Sequence, residues 1–358
     1  MSARILAAIA FGCLFVTPAS AQTGRFLYMA TPDGAQSEGR SGNGLLVFDM
    51  DDGHRFVERI DLPVFEQGVR GLTGHGGNGR LYYSTSAQTL GCFDVAAGEV
   101  VWQSKFDRGC DRSCITADGK TLYVPTGWWY RGDDSGFLVV DAETGDLRDR
   151  ITVGHAAHNS IATPDGRYVF LGTDTTLTQF DASDGSVIQT ISPVGESGVF
   201  PFTVDSRSEF AYVCLGKHVG VDIVDLKTGE VPYRVLAGDE PIGHRTHGAG
   251  LTPDESELWI SDQAGQKLFI FDMAQMPPTA KGHVDLSIAG HGWVTFSLDG
   301  AYAYSHAPEV FDAKTKELVA TLKDEEGKPF ASSKFIEVRM EDGRVTEMGN
   351  EFGLGRAE

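Results

Sequence analysis

The stretch Phe137-Leu138-Val139-Val140-Asp141-Ala142-Glu143-Thr144-Gly145 decides the fold, because its shape returns along the whole chain: an apolar run, an Asp, then a tight polar turn. The same pattern ends at Asp49, Asp94, Asp181, Asp225, Asp272 and Asp312, so the Asp-to-Asp intervals are 45, 47, 40, 44, 47 and 40 residues. A period of this length belongs to repeated four-stranded sheets. Each unit reads as a hairpin, since Asp and Gly tolerate turn backbone and the flanking runs favour strands. One such unit cannot bury both of its faces, so the copies must pack on one another.

A second repeated element precedes the hairpins. It reads Thr116-Ala117-Asp118-Gly119, Thr163-Pro164-Asp165-Gly166, Thr252-Pro253-Asp254-Glu255 and Ser297-Leu298-Asp299-Gly300, each followed at a fixed offset by an aromatic-bearing strand. One repeat is therefore four antiparallel strands, A to D; in the third complete set these are expected at 159–163, 167–172, 176–181 and 186–191. Six sets run from 69 to 322. The seventh finds its B, C and D strands at 25–29, 44–48 and 55–60, and its A strand only at 334–340.

The fold class predicted is thus all-β: a seven-bladed β-propeller closed by pairing N- and C-terminal strands in one blade. Closure removes the sheet edges that would otherwise invite aggregation. The motif Thr163-Pro164-Asp165-Gly166-Arg167-Tyr168-Val169-Phe170, followed by Phe180-Asp181 and Gly185, resembles the YVTN repeat of YncE-like seven-bladed propellers. The resemblance covers roughly residues 25 to 345 and implies the fold, not an activity. Its relatives include lactonase-like propellers, whose acidic metal-ligand sets have no counterpart here.

Residues 1–21 read as a secretory signal peptide: Arg4, an apolar run from Ile5 to Val16, and the small-x-small site Ala19-Ser20-Ala21. Residues 22–358 are then one propeller domain, periplasmic or secreted. Cleavage removes Arg4 and no acid, leaving the mature protein more acidic than the full chain's net charge of −20. Such a surface repels phosphate backbones, so no nucleic acid is expected as partner. No later apolar run is long enough for a membrane span.

Cys92, Cys110, Cys114 and Cys214 remain after processing. Cys110 and Cys114 are read either as a small disulfide loop or as two buried thiols, and Cys92 and Cys214 as core.

Short Asp-Gly turns fall on one face of the ring, whereas the D-to-A crossovers and B–C loops fall on the other, which becomes the candidate functional surface. Aligning the repeats places Arg70, Asp111-Arg112, His158, Phe200-Pro201, His247, His291-Gly292-Trp293 and Lys334 at equivalent points around the channel mouth. His158, His247, Arg70 and Arg112 are the catalytic candidates. Imidazole titrates near neutrality and suits acid–base work, and the arginines suit an anionic substrate. Trp128, Trp129, Tyr130, Trp293 and Lys334 are the substrate-binding candidates, with the aromatics offering faces for a sugar ring.

The crossovers Gly154-His155-Ala156-Ala157-His158 and Gly243-His244-Arg245-Thr246-His247 share a spacing. A further reading makes His155, His158, His244 and His247 ligands of one divalent transition metal. The function expected is lyase or hydrolase chemistry on a small anionic molecule or saccharide of sugar-acid type. The rival is a non-catalytic propeller that binds a polysaccharide or a periplasmic protein partner.

Overall fold

The recurrent turns fold as their chemistry requires. In the C–D turns the Asp carboxylate accepts the next backbone N–H groups: Asp225 Oδ1 takes Lys227 N and Thr228 N, both at 2.9 Å, and Asp312 Oδ1 takes Lys314 N at 2.9 Å and Thr315 N at 2.7 Å. In the A–B turns a hydroxyl replaces the strand partner. Thr163 Oγ1 donates to Asp165 Oδ1 at 2.6 Å and accepts Tyr168 N at 3.1 Å, and Thr252 with Asp254 and Glu257 repeats the arrangement. These side chains satisfy the backbone groups a turn leaves over, which is why the same residue types recur.

The computed structural model describes residues 22–30, 44–62, 68–85, 87–196, 201–238, 243–329 and 334–356. Residues 1–21, expected to be a signal peptide, the Gly- and Ser-rich segment 31–43 and Phe200 lie outside the described residues. Six sheets contain four antiparallel strands paired in chain order, and they form, with a seventh, the ring of a seven-bladed β-propeller. In the third complete set the strands are Ala157–Ala162, Tyr168–Thr173, Thr176–Asp181 and Val187–Ile191, within two residues of the expected bounds.

The closing blade joins both ends of the described chain. Strand Lys334–Glu341 pairs antiparallel with Gly24–Ala30 in a continuous register from Gly24 opposite Met340 to Ala30 opposite Lys334. Beyond the four expected strands, Arg344–Met348 forms a fifth on the inner side of Lys334–Glu341.

The core lies between blades, where inward faces of adjacent sheets meet. Phe137, for example, meets Phe180 of the next blade edge-on at 5.4 Å and Tyr123 of its own blade at 5.3 Å. Cys92, Cys110, Cys114 and Cys214 are all buried free thiols, so the disulfide alternative is not the one the structure adopts. Among the described residues no helix is long and apolar enough to cross a membrane.

The repeats gave no warning of the segment after the fifth strand. Gly349–Arg356 turns into the central channel instead of staying on the rim. Gly349 N donates to Glu337 O at 2.8 Å, and Asn350 O accepts Thr295 Oγ1 at 2.6 Å. Gly353 O takes Leu251 N at 2.9 Å and Thr203 Oγ1 at 2.8 Å, and Arg356 N reaches Pro253 O at 3.1 Å in an A–B turn. Glu351, Phe352 and Leu354 are thereby buried, and Phe352 stacks edge-on against Trp293 at 6.1 Å. Only a glycine passes at position 353: its φ is +56°, and a Cβ there would lie 2.5 Å from Val294 O.

Gly353→Val should therefore lower unfolding free energy by about 2–4 kcal/mol, through overpacking and the cost of a left-handed backbone. Urea denaturation would show this as a reduced midpoint at unchanged slope.

Candidate functional site

The innermost strands converge so closely at the channel mouth that glycine follows two of the candidate residues. A Cβ at Gly71, beside Arg70, would lie 2.9 Å from Arg112 Cα; one at Gly248, beside His247, would lie 2.3 Å from Gly292 O. This approach packs the axial side chains into one cluster.

Its hub is Asp111, whose carboxylate is fully buried. Oδ1 accepts Arg112 Nη1 at 2.9 Å and lies 3.5 Å from Arg70 Nε. Oδ2 pairs with His158 Nδ1 at 2.6 Å and accepts Trp128 N at 3.3 Å. Burial pushes the carboxyl upward, but His158, Arg70 and Arg112 outweigh it and hold Asp111 well below the usual carboxylate range. An ionised carboxylate only accepts, so Nδ1 of His158 carries the proton and Nε2 is the basic nitrogen.

The second layer is built on Trp293. Arg112 lies 3.7 Å and Lys334 3.9 Å from the indole centroid, contacts in which a cation meets the negative face of the ring. His247 packs edge-on against Trp293 at 5.4 Å and against His291 at 4.9 Å. His291 Nε2 contacts Gln263 Nε2 at 2.6 Å, and Gln263 Oε1 accepts Arg245 Nε at 2.5 Å.

Burial keeps this layer short of charge. It pulls Lys334 well below its ordinary value, with Arg112 adding to the effect, and lowers Arg112 to about 10, with Arg70 adding. Burial likewise lowers His158, which Asp111 only partly offsets, and carries His247 well below its ordinary range; His291, whose ring still reaches solvent, is lowered by partial desolvation together with the nearby positive charges of Arg245, Lys334 and Arg112. At neutral pH all three imidazoles are neutral.

Exposure sorts the candidates. Arg112, Lys334, Trp293 and His247 lie beneath the mouth and are buried, whereas Arg70 and His158 are part-buried and His291 is exposed. Trp128, 48 % exposed, stands on the rim, held there by its backbone bond to Asp111. Trp129 lies under the Arg70 guanidinium at 5.2 Å. The Tyr130 hydroxyl is tied to Arg108 and Asp134, so Tyr130 braces the loop.

The four histidines of the metal reading have separate partners. His155 Nδ1 contacts Arg131 O at 2.7 Å, His158 takes Asp111, His244 Nδ1 contacts Asp262 Oδ2 at 2.7 Å, and His247 meets His291. They are not brought to one point, and among the described residues no group of three or more His, Cys, Asp or Glu is placed to hold a metal ion. Next to the His291 side of the cluster, a cavity of about 790 Å³ opens beside His244, Arg245, Gln263, Lys217 and His218.

Sequence reasoning placed Asp111 at the mouth beside Arg112, where it does receive both arginines, and missed Glu351 altogether. Glu351 is 2 % exposed, and neither of its oxygens has a side-chain hydrogen-bond partner among the described residues, although the backbone of Leu72 comes near enough to lower its pKa. Burial raises it to about 7, against the opposing charges of Lys334 and Arg112. The one signal was compositional: Gly349, Gly353 and Gly355 alternate with Glu351, Phe352 and Leu354, a slim segment with large anchors.

Comparison with known proteins agrees with this architecture. A family model described as outer membrane protein assembly factor BamB matches residues 86–232. No curated protein sequence matches the chain. Among solved structures, Kuenenia stuttgartiensis hydrazine synthase superposes with a TM-score of 0.62 at 15 % identity, over 78 % of this chain and 89 % of that one. The β-propeller domain of Myceliophteria thermophila Cps50 (Swd1) gives 0.58 at 12 % identity, over 77 % and 94 %. At these identities the likeness is one of fold.

Because Glu351 holds its proton better folded than unfolded, it favours the folded state fully below its ordinary carboxyl range. That contribution fades as pH rises towards about 7. The shift corresponds to about 3 kcal/mol. Glu351→Gln should remove this slope, so subtracting wild-type from variant stability between acid and mildly alkaline pH isolates it from the titration of Lys334.

Proposed function

We propose that this is an exported propeller that binds a small carboxylated, sugar-like molecule at the crossover-face mouth and acts on it by elimination or hydrolysis. The observation that supports the reading best is Asp111: one buried carboxylate gathers Arg70, Arg112, His158 and the backbone of Trp128. Around it a protein of net charge −20 collects arginines and a lysine on its axis. Residues 1–21 serve as a removable leader in this reading, and the repeats are of the YVTN type.

Arg70 meets the substrate carboxylate, with Arg112 behind it contributing positive potential in a low-dielectric setting. Trp128 offers its exposed face to the ring of the sugar. Nε2 of His158 takes the proton from the carbon next to the carboxylate, the C–O bond on the adjoining carbon breaks as the C=C bond forms, and the departing oxygen takes a proton from solvent. Asp111 stabilises the imidazolium until it gives its proton back to solvent. Arg70 faces the charge that develops on the carboxylate as the carbon loses its proton. Trp293 and Lys334 act from below, fixing and polarising Arg112.

A second reading, a scaffold for a periplasmic partner, draws on two observations. The matched family description names an assembly factor, and outer strands expose apolar side chains: Val187 at 53 %, Leu318 at 56 % and Val319 at 47 %.

Titration calorimetry with digalacturonate, alongside absorbance detection of unsaturated product, separates the two. Arg70→Ala should weaken binding about tenfold or more. His158→Ala should leave affinity nearly unchanged and reduce turnover by about 10²–10⁴-fold. Absence of both binding and turnover across uronate and other carboxylate probes would sink the enzyme reading in favour of the scaffold.

A further inference from the structure

Glu351 does no work in that scheme, yet it is as deeply buried as Arg112 and Lys334 of the same cluster. It reaches the axis because segment Gly349–Arg356 threads the channel, with Phe352 packed below Trp293. The groups whose charge bears on it are Lys334 from the closing blade and Arg112 and Asp111 from the start of the blade that carries the Asp141 turn. The other titratable members of the cluster are Arg70, His158, His247 and His291.

Burying an ionised carboxylate without a hydrogen-bond donor is costly unless positive charge lies close. No side chain among the described residues donates a hydrogen bond to either oxygen of Glu351, the backbone of Leu72 being the one donor whose approach bears on it, and the Nε–H of Arg112 likewise lacks an acceptor among them. The ionised form is therefore sustained by the field of Arg112 and Lys334, the same field an anion at the mouth would use.

We infer that Glu351 is the internal counter-ion of the axial cluster, and that an anion binding at the mouth displaces its charge by driving one proton from solvent onto it. The inference rests on the anion site proposed for the mouth. Binding at Arg70 adds a negative charge beside Arg112. The ionised Glu351 then loses part of its stabilisation and takes up a proton, so charge is conserved within the cluster. Glu351 is here a positioning residue that tunes affinity from below, out of contact with the ligand.

The histidines do not compete for this role near or above neutrality, because desolvation and nearby positive charge hold His158, His247 and His291 below their ordinary values. Lys334, also lowered by burial, is the one alternative proton acceptor. The experiment must separate it from Glu351.

Calorimetry of galacturonate binding at about pH 8, in buffers of different ionisation enthalpy, reads the number of protons taken up. Wild type should take up close to one. Glu351→Gln, which keeps shape and removes the charge, should take up close to none and bind up to about tenfold more tightly at that pH. Uptake that persists in Glu351→Gln assigns the proton to Lys334 and overturns the inference. Binding without uptake in wild type overturns it as well, while leaving the anion site standing. Should the variant fail to fold, wild type alone decides: the galacturonate Kd should rise by up to about tenfold per pH unit above neutrality, and a flat profile refutes the coupling. If galacturonate and other carboxylates bind at no pH, the mouth reading itself fails.

Discussion

Everything on the axis depends on the pairing of Gly24–Ala30 with Lys334–Glu341. Seven blades close only if one contains strands from both ends of the chain, and that pairing sets three things together. It removes two exposed sheet edges, it puts Lys334 at the mouth in register with the first residues of the other inner strands, and it directs the following residues inward. The register leaves no freedom in the last two, because a slip of one residue would turn the side chains of Lys334–Glu341 to the opposite face.

Within the ring so formed, packing and electrostatics pull against each other. Inner strands approach closely enough to exclude any side chain at Gly71 and Gly248, and the polar residues next to them are desolvated as a result. Asp111 resolves part of the conflict by binding two arginines and an imidazole at once. Trp293 resolves another part by offering its ring to Arg112 and Lys334. What stays unresolved is visible in buried polar atoms that find no side-chain partner among the described residues, including Arg112 Nε, Trp293 Nε1 and both oxygens of Glu351. Strain of this electrostatic kind concentrates where binding and chemistry occur.

Much of the architecture was legible in the sequence because it is repeated. Asp141, Asp181, Asp225 and Asp312 perform the same hydrogen bonding in the same turn, so seven copies of a weak local signal add up to a firm one. The mouth residues were legible for a related reason: alignment of the repeats exposes the position at which Arg70, Arg112, His158, His247 and Lys334 differ from one another. Their partners were not, since a repeat says nothing about contacts across the axis. The shared spacing of His155 and His158 with His244 and His247 suggested common ligation, but local spacing fixes neither which way a ring turns nor what it meets. Glu351 was illegible for a third reason, lying in a segment that belongs to no repeat.

The closing blade also bears on how the molecule is made. Asp342 N and Thr23 Oγ1 are hydrogen bonded across 319 residues of chain, and Lys334–Glu341 meets Gly24–Ala30 over a similar separation. Contacts so distant in sequence form late and slowly, because the entropy of closing the loop must be overcome before they contribute. Until residue 334 and those after it are synthesised, the first strands have no partner on one side and the channel has no filling. A chain delivered across a membrane from its N-terminus would therefore carry an open arc of blades through much of its transit, with an unpaired edge at each end. The ring and its buried charges would come into being in a single late step.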